Sequence, residues 1–229
     1  MKISSIYKTL EESAELCPSG INIKFLFRHS IRGEIGKNVA HHEIQNAQLT
    51  LEGRKFAESL GESIDMEIGK VSSSLTQRCV DTCSEIIKGY NKNHAKYAHR
   101  ILETKMLQCP QVINESDPKG DETWERLGLE GIFNCYASNI EMPGMYNLQI
   151  AVEHIIKYIF DTGNIDNTID LFCTHDFQLA MLLLYFSENK IECKDNLFNG
   201  DWPLMLEGMF LWGNVENYNI LWRGKKITQ

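Results

Sequence analysis

Three strand-like runs that each end at charged side chains constrain the fold of this chain most strongly. The runs comprise residues 21–27, 68–72 and 169–174. The charged side chains that follow them are Arg28 and His29, then Arg78, and finally His175 and Asp176. Because strands that alternate with helices form a mostly parallel sheet, the carboxyl ends of these runs can meet at one edge, where such sheets bind ligands.

Helical patterns lie between these runs and predict an α/β fold with helices on both faces of the sheet, in three layers. The patterns cover residues 5–16, 50–61, 79–90, 145–163 and 177–186. In the second pattern Thr50 suits an N-cap and Gly61 suits a C-terminal stop. Two further strand-like runs, 204–212 and 218–222, predict a C-terminal β-hairpin at or near a sheet edge.

The length of 229 residues allows one large domain, and we expect residues 1–229 to form a single domain. Residues 103–144 interrupt the periodic pattern with prolines and glycines among acidic side chains. Segments of this length with weak periodicity often cover active sites. We therefore interpret residues 103–144 as a lid or substrate-side insertion.

The charge of the chain limits its partners. The formal net charge is −8, whereas a general nucleic-acid binder has a basic surface, so no nucleic-acid partner is expected. A small anionic substrate remains compatible with this charge, because a local cluster of arginines can override the sign of the whole molecule.

Cysteine usage and hydropathy indicate the compartment. The seven cysteines contain no Cys-x-x-Cys pair, which favours reduced thiols in the cytoplasm. Two of them, Cys79 and Cys83, fall on the apolar stripe of a helix and are interpreted as small core residues. The N-terminus lacks the pattern of a signal peptide, and no apolar run approaches the roughly 18 residues of a membrane span. We expect no association with a membrane.

Arg28, His29 and Arg32 form a distinctive set at the end of the first run. Guanidinium groups match the geometry of phosphate oxygens, and an imidazole can act as a nucleophile or transfer protons. Taken alone, this stretch is as compatible with a charged strand end at the protein surface as with a functional site. Arg78 shifts the interpretation, because it starts a helix where a purely structural position would favour an acid.

Residues 28–32, Arg-His-Ser-Ile-Arg, resemble the Arg-His-Gly-x-Arg signature of the histidine phosphatase superfamily, which includes phosphoglycerate mutases and histidine acid phosphatases. Elements similar to those of this superfamily follow in the same order at residues 49–53 and 73–82. Thr174-His175-Asp176 resembles the His-Asp element of the acid phosphatase branch, whereas the mutase branch usually has His-Gly. The chain departs from the pattern at Ser30, which replaces Gly, and at Gly33, where acid phosphatases commonly have Pro.

The resemblance implies a role for each matching residue. It makes His29 the nucleophile, Arg28, Arg32, Arg78 and His175 the phosphate ligands, and Asp176 the proton donor to the leaving group. Glu115 is the alternative acid, because the mutase branch takes its acid from a corresponding region. The implied activity is hydrolysis of a small phosphomonoester through a phosphohistidine. No metal or cofactor is expected, because the guanidinium groups supply the positive charge.

Three alternatives stay open. The first is a phosphoglycerate mutase-like phosphotransferase, and the second is a weakly active or non-catalytic phospholigand-binding module, for which Ser30 is the main support. The third is a metal-dependent His-Asp phosphohydrolase that would bind metal through His175 and Asp176 together with His41 or His42. The adjacent pair His41-His42 is better interpreted as part of a solvated loop, because neighbouring histidines point apart.

Overall fold

A seven-stranded sheet forms the centre of this computed structural model, which describes residues 1–34, 47–94 and 99–227. Its strands are β1 (Ile23–Arg28), β2 (Glu67–Ser74), β3 (Ile101–Thr104), β4 (Thr168–Thr174), β5 (Gly208–Gly213), β6 (Tyr218–Trp222) and β7 (Lys225–Ile227). They lie in the order β3-β2-β4-β1-β5-β6-β7. The four strands β3, β2, β4 and β1 are parallel, and β5, β6 and β7 continue the sheet with antiparallel pairs.

Helices cover both faces of this sheet. They are α1 (Lys8–Leu16), α2 (Leu51–Ser63), α3 (Gln77–Asn93), α4 (Lys119–Ala137), α5 (Leu148–Asp161), α6 (Asp176–Phe186) and α7 (Lys190–Asn196). Successive side chains of β1 point to opposite faces, as they do in any strand. Leu26 packs into a cluster with α4, α5 and α6, whereas Phe25 and Phe27 pack into a second cluster with α1, α2 and α3. The predicted three-layer α/β class with a mostly parallel centre is confirmed.

Local signals explain where several elements begin and end. The Thr50 hydroxyl accepts the Gly53 N–H at 2.9 Å, so the predicted N-cap of α2 is confirmed. The predicted stop at Gly61 is wrong, because α2 continues to Ser63. A Cβ at Gly61 would collide with the Ile86 carbonyl, so this glycine lets α2 and α3 pack closely instead.

The segment 103–144 contains more regular structure than its sequence indicates. Two short 3-10 turns, Lys105–Leu107 and Cys109–Val112, precede α4, which is broken at Gly128. That this segment acts as a lid, and that residues 1–229 form one domain, stay predictions. The hairpin of β5 and β6 is confirmed near a sheet edge, with β7 as the edge strand beyond it.

No helix within residues 1–34, 47–94 and 99–227 is long and apolar enough to cross a bilayer.

Candidate active site

The carboxyl ends of β1, β2 and β4 meet at one edge of the sheet, as the three junctions predicted. Register pairs Arg28 with Thr174 and Ser73 with Cys173, so the residues that follow these strands come together. They open onto a cavity of about 370 Å³. Its polar lining consists of Arg28, His29, Arg32, Thr76, Arg78, Gln108, His175 and Asp176.

His29 is buried, and both of its ring nitrogens are held. Nδ1 lies 2.8 Å from the Ser30 carbonyl oxygen, which can only accept, so Nδ1 carries the proton. Nε2 accepts a hydrogen bond from Arg78 Nε at 2.9 Å. Burial, followed by the neighbouring His175 and Arg78, holds the pKa of His29 well below its ordinary value of 6.5. The ring is therefore neutral at neutral pH, with its lone pair on Nε2.

Arg78 connects His29 to the second histidine of the cavity. His175 Nδ1 lies 3.3 Å from Arg78 Nη2, and because a guanidinium can only donate, Nδ1 is the acceptor. Nε2 of His175 then carries the proton and faces the hydroxyls of Ser74 at 3.1 Å and Thr76 at 3.3 Å. The two imidazole rings are 5.4 Å apart between centroids and nearly perpendicular.

Asp176 is the first residue of α6 and forms an ion pair with Arg28. Its Oδ2 lies 2.7 Å from Arg28 Nη2, and its Oδ1 accepts the Phe177 N–H at 2.9 Å. Arg28 also donates from Nη1 to the Pro203 carbonyl at 2.6 Å, which fixes the orientation of the guanidinium. The carboxylate thus has a structural role at the helix start and also lines the cavity.

The remaining two predicted site residues differ in position. Arg32 is half-buried, lines the cavity and donates to the Gly33 carbonyl at 2.9 Å. Glu115 is 80% exposed, pairs with Lys105 at 3.3 Å and lines a neighbouring cleft of about 640 Å³. The structure therefore places Arg32 in the same cavity as His29 and places Glu115 outside the lining of that cavity.

Ser30, the departure from the resembled signature, directs its hydroxyl toward the start of α2 and is not among the residues that line the cavity. Its hydroxyl donates to the Gly53 carbonyl at 2.6 Å, and its N–H donates to the Thr82 hydroxyl at 3.0 Å. A Cβ at Gly53 would collide with the Ile31 carbonyl, which explains why glycine occupies this position. The start of α2 thus packs directly behind residues 30 and 31 and accommodates the serine hydroxymethyl group.

Several residues of the cavity lining were not predicted from the sequence. They are Thr76, Gln108, Cys109, Trp124, Gly128, Leu129 and Phe177. The signals available for them were weak: a polar residue next to a helix start, and an aromatic side chain within an irregular segment. The predicted core role of Cys79 and Cys83 is confirmed, since both are fully buried. His41 and His42 lie outside the described residues.

No protein-family model matches the sequence, and no curated protein matches it. Solved structures do match its fold. Bacillus stearothermophilus YhfR aligns with a TM-score of 0.54 at 15% identity, over 89% of this chain and 97% of that one. A phosphoserine phosphatase mutant from Entamoeba histolytica, in complex with phosphoserine, aligns with a TM-score of 0.54 at 12% identity, over 90% and 97%. Mycobacterial hydrolase 2 aligns with a TM-score of 0.53 at 12% identity, over 92% and 94%.

The chain therefore has the phosphoglycerate mutase-like α/β fold that the sequence motifs predicted. The comparisons do not support a closer relation to the acid phosphatase branch. That branch assignment rests on residues 174–176 and stays a prediction.

Proposed function

We propose that this protein is a metal-independent phosphomonoesterase that forms a phosphohistidine at His29 and acts on a small phosphorylated metabolite. One observation carries the proposal. A buried neutral imidazole, protonated on Nδ1 by its bond to a backbone carbonyl, presents Nε2 among Arg28, Arg78 and His175. A nucleophilic histidine needs this tautomer, and a phosphoryl group needs this concentration of donors.

The first half-reaction transfers the phosphoryl group to the enzyme. Arg78 exchanges its bond with His29 Nε2 for a bond with a phosphoryl oxygen, and this exchange frees the lone pair for attack. The Nε2–P bond forms as the bond between phosphorus and the leaving oxygen breaks. Arg28 and Arg32 stabilise charge on the equatorial oxygens, and a proton from Asp176 neutralises the leaving alkoxide.

Asp176 must be protonated to act as an acid, although its carboxylate pairs with Arg28. A bound phosphoryl dianion competes for the Arg28 guanidinium and also favours the neutral form of a neighbouring carboxyl group. In the second half-reaction Asp176 accepts a proton from water, which attacks phosphorus and restores His29.

Two considerations favour hydrolysis by this chain over the alternatives. The Ser30 hydroxyl bonds to Gly53 and not to the nucleophile, which removes the main argument for a non-catalytic module. Asp176 at the start of α6 supplies an acid for the leaving group and then a base for the attacking water. A phosphoglycerate mutase-like phosphotransferase would not require a group with these two roles at this position. The fold is compatible with either activity.

Phosphate release from a panel of phosphomonoesters tests the proposal, with and without a chelator. We expect turnover that a chelator leaves unchanged and that His29→Ala lowers by a factor on the order of 1,000 or more. His94→Ala is the matched control, because His94 caps the far end of α3 and should retain wild-type turnover. Loss of activity with the chelator would favour the metal-dependent alternative, and transfer to an added alcohol without net hydrolysis would favour the phosphotransferase.

A further inference from the structure

The lining of the catalytic cavity is divided between charged and apolar side chains. Beside the histidines and arginines, Trp124, Leu129 and Phe177 line the same cavity, and we call these three residues the apolar wall. We propose that the substrate is a phosphate ester of an uncharged aromatic alcohol whose ring packs against Trp124 and Leu129, the accessible members of the apolar wall, with the buried Phe177 behind them. This inference rests on the proposed function, because it assumes that the arginines bind a phosphoryl group.

The backbone of α4 brings two members of the apolar wall, Trp124 and Leu129, to the cavity. Gly128 lies in the middle of this helix with φ 59° and ψ −177°, a conformation that is essentially restricted to glycine. A Cβ at Gly128 would meet no atom within 4 Å, so the backbone conformation and not crowding accounts for glycine here. The break lets Trp124 on one side of it and Leu129 on the other line the cavity together.

Packing holds the rings of the apolar wall in place. Phe177 is fully buried and contacts Phe133 edge-to-face, with 5.3 Å between ring centroids. Trp124 packs on Phe177 at 5.5 Å and is only half-buried, so part of the indole faces the cavity. A planar substrate ring could continue this series of edge-to-face or offset contacts, which aromatic pairs prefer.

The charges of the cavity disfavour a second anionic group on the substrate. Among the described lining residues, the cationic side chains are Arg28, Arg32 and Arg78, and the phosphoryl dianion requires them. A carboxylate on the alcohol portion would lie near Asp176 and the apolar wall, without a further cation from the described lining. The volume of about 370 Å³ is near the lower end for ligand pockets and suits a phosphoryl group with one ring.

Binding of phosphonates tests this inference without turnover, because their P–C bond is not hydrolysed. Calorimetry would compare the affinities of three ligands. Methylphosphonate is the parent compound, benzylphosphonate adds a phenyl ring to it, and phosphonoacetate adds a carboxylate to it. We expect benzylphosphonate to bind about tenfold more tightly than methylphosphonate. Phosphonoacetate should bind no more tightly than methylphosphonate.

Variants of the apolar wall locate the ring. Trp124→Ala should remove most of the benzyl preference while affinity for methylphosphonate stays unchanged, and Trp124→Phe should keep part of it. Trp212→Ala is the matched control, since Trp212 is also half-buried but lies at the opposite end of the sheet from His29. Leu129→Ala provides a second test if Trp124→Ala does not fold.

Three results would overturn this inference while leaving the proposed function intact. They are equal affinities for benzylphosphonate and methylphosphonate, a preference for phosphonoacetate, and an unchanged benzyl preference in Trp124→Ala and Leu129→Ala. Failure of all three phosphonates to bind would contradict the proposed function as well.

Discussion

Arg78 gives the clearest residue-scale link between sequence and site. A cation at the first turn of a helix is unfavourable for the helix dipole. The structure supplies the reason for it, because Arg78 is 94% buried by the cavity and contacts both His29 and His175. The position of this guanidinium thus follows from the requirements of the site and not from those of α3.

Replacing Arg78 should impair catalysis more than it impairs folding. We expect Arg78→Ala to lose about 3–4 kcal/mol of transition-state stabilisation, as removal of one oxyanion donor does elsewhere. Arg78→Lys should remain impaired, because an ammonium keeps the charge but loses the planar fork. Values of kcat/KM together with thermal unfolding measure both effects. Near-normal kinetics in both variants would place Arg78 outside the reaction.

Asp176 and Glu115 can be distinguished as proton donors by the leaving group. Asp176→Asn nearly preserves shape, and it should slow alkyl phosphates far more than activated aryl phosphates, because only poor leaving groups need a proton. KM should not rise greatly. Steady-state kinetics with matched alkyl and aryl substrates measures the difference.

Glu115→Gln is the control for this comparison, because Glu115 is exposed and paired with Lys105. It should change neither class of substrate. If the two variants exchange their profiles, the acid comes from the region used by the mutase branch, and the branch assignment from residues 174–176 is wrong.

The neutral state of His29 has a consequence for stability. Its pKa is well below 6.5 in the folded protein and near 6.5 when unfolded. As the pH falls below 6.5, the unfolded chain therefore takes up a proton that the folded protein does not. The free energy of unfolding therefore falls as the pH is lowered below 6.5, by up to about 1.4 kcal/mol for each pH unit.

Urea unfolding at about pH 7.5 and about pH 5.5 measures this loss. The wild type should lose more free energy of unfolding over this interval than His29→Gln, which cannot titrate. The same pH dependence in both proteins would show that His29 is not held neutral by the fold.

At the scale of elements, one buried ion pair joins the central strands at the end of the sheet opposite the cavity. Lys24 of β1 and Asp170 of β4 are register partners, with 2.7 Å between Nζ and Oδ2. Lys24 also donates to the Gly163 carbonyl at 2.7 Å, and Asp170 accepts the Lys70 N–H of β2 at 2.7 Å. Burial lowers the pKa of Lys24, and the bond with Asp170 opposes this effect.

Breaking this pair should destabilise the fold without changing the chemistry. Lys24→Met leaves Asp170 buried without its partner, for which we expect a loss of about 3–5 kcal/mol in the free energy of unfolding. Chemical denaturation measures this loss, and kcat per folded molecule should stay at the wild-type value.

Lys24→Met combined with Asp170→Leu completes the comparison. The double variant should lose less free energy than the sum of the two single variants, because neither charge is then left alone. Strict additivity would show that the two side chains do not stabilise each other.

At the scale of the whole molecule, the local features were predicted better than the ones that depend on tertiary packing. The junctions after β1, β2 and β4 could be predicted, because an apolar run followed by charge is visible within a few residues. The edge strands β3 and β7 are short and largely exposed, so their sequences carry little periodic signal. The break at Gly128 and the pairing of Asp176 with Arg28 depend on contacts between distant segments.

The arrangement of charge is likewise a property of the whole chain. The net charge is −8, yet three arginines converge on one cavity because parallel strands end together. The sequence separates Arg28 from Arg78 by a strand-sized and a helix-sized segment, and the fold makes them neighbours. This convergence is the basis of the proposed phosphoryl transfer.

Trapping the phosphorylated protein tests whether His29 is the nucleophile. Wild-type protein mixed with a labelled phosphomonoester and quenched in alkali should yield a phosphoprotein that is stable to alkali, labile to acid and mapped to His29. His29→Ala should form none and should not turn over. Hydrolysis by the wild type without a phosphohistidine would show that His29 is not the nucleophile. Turnover retained by His29→Ala would show the same.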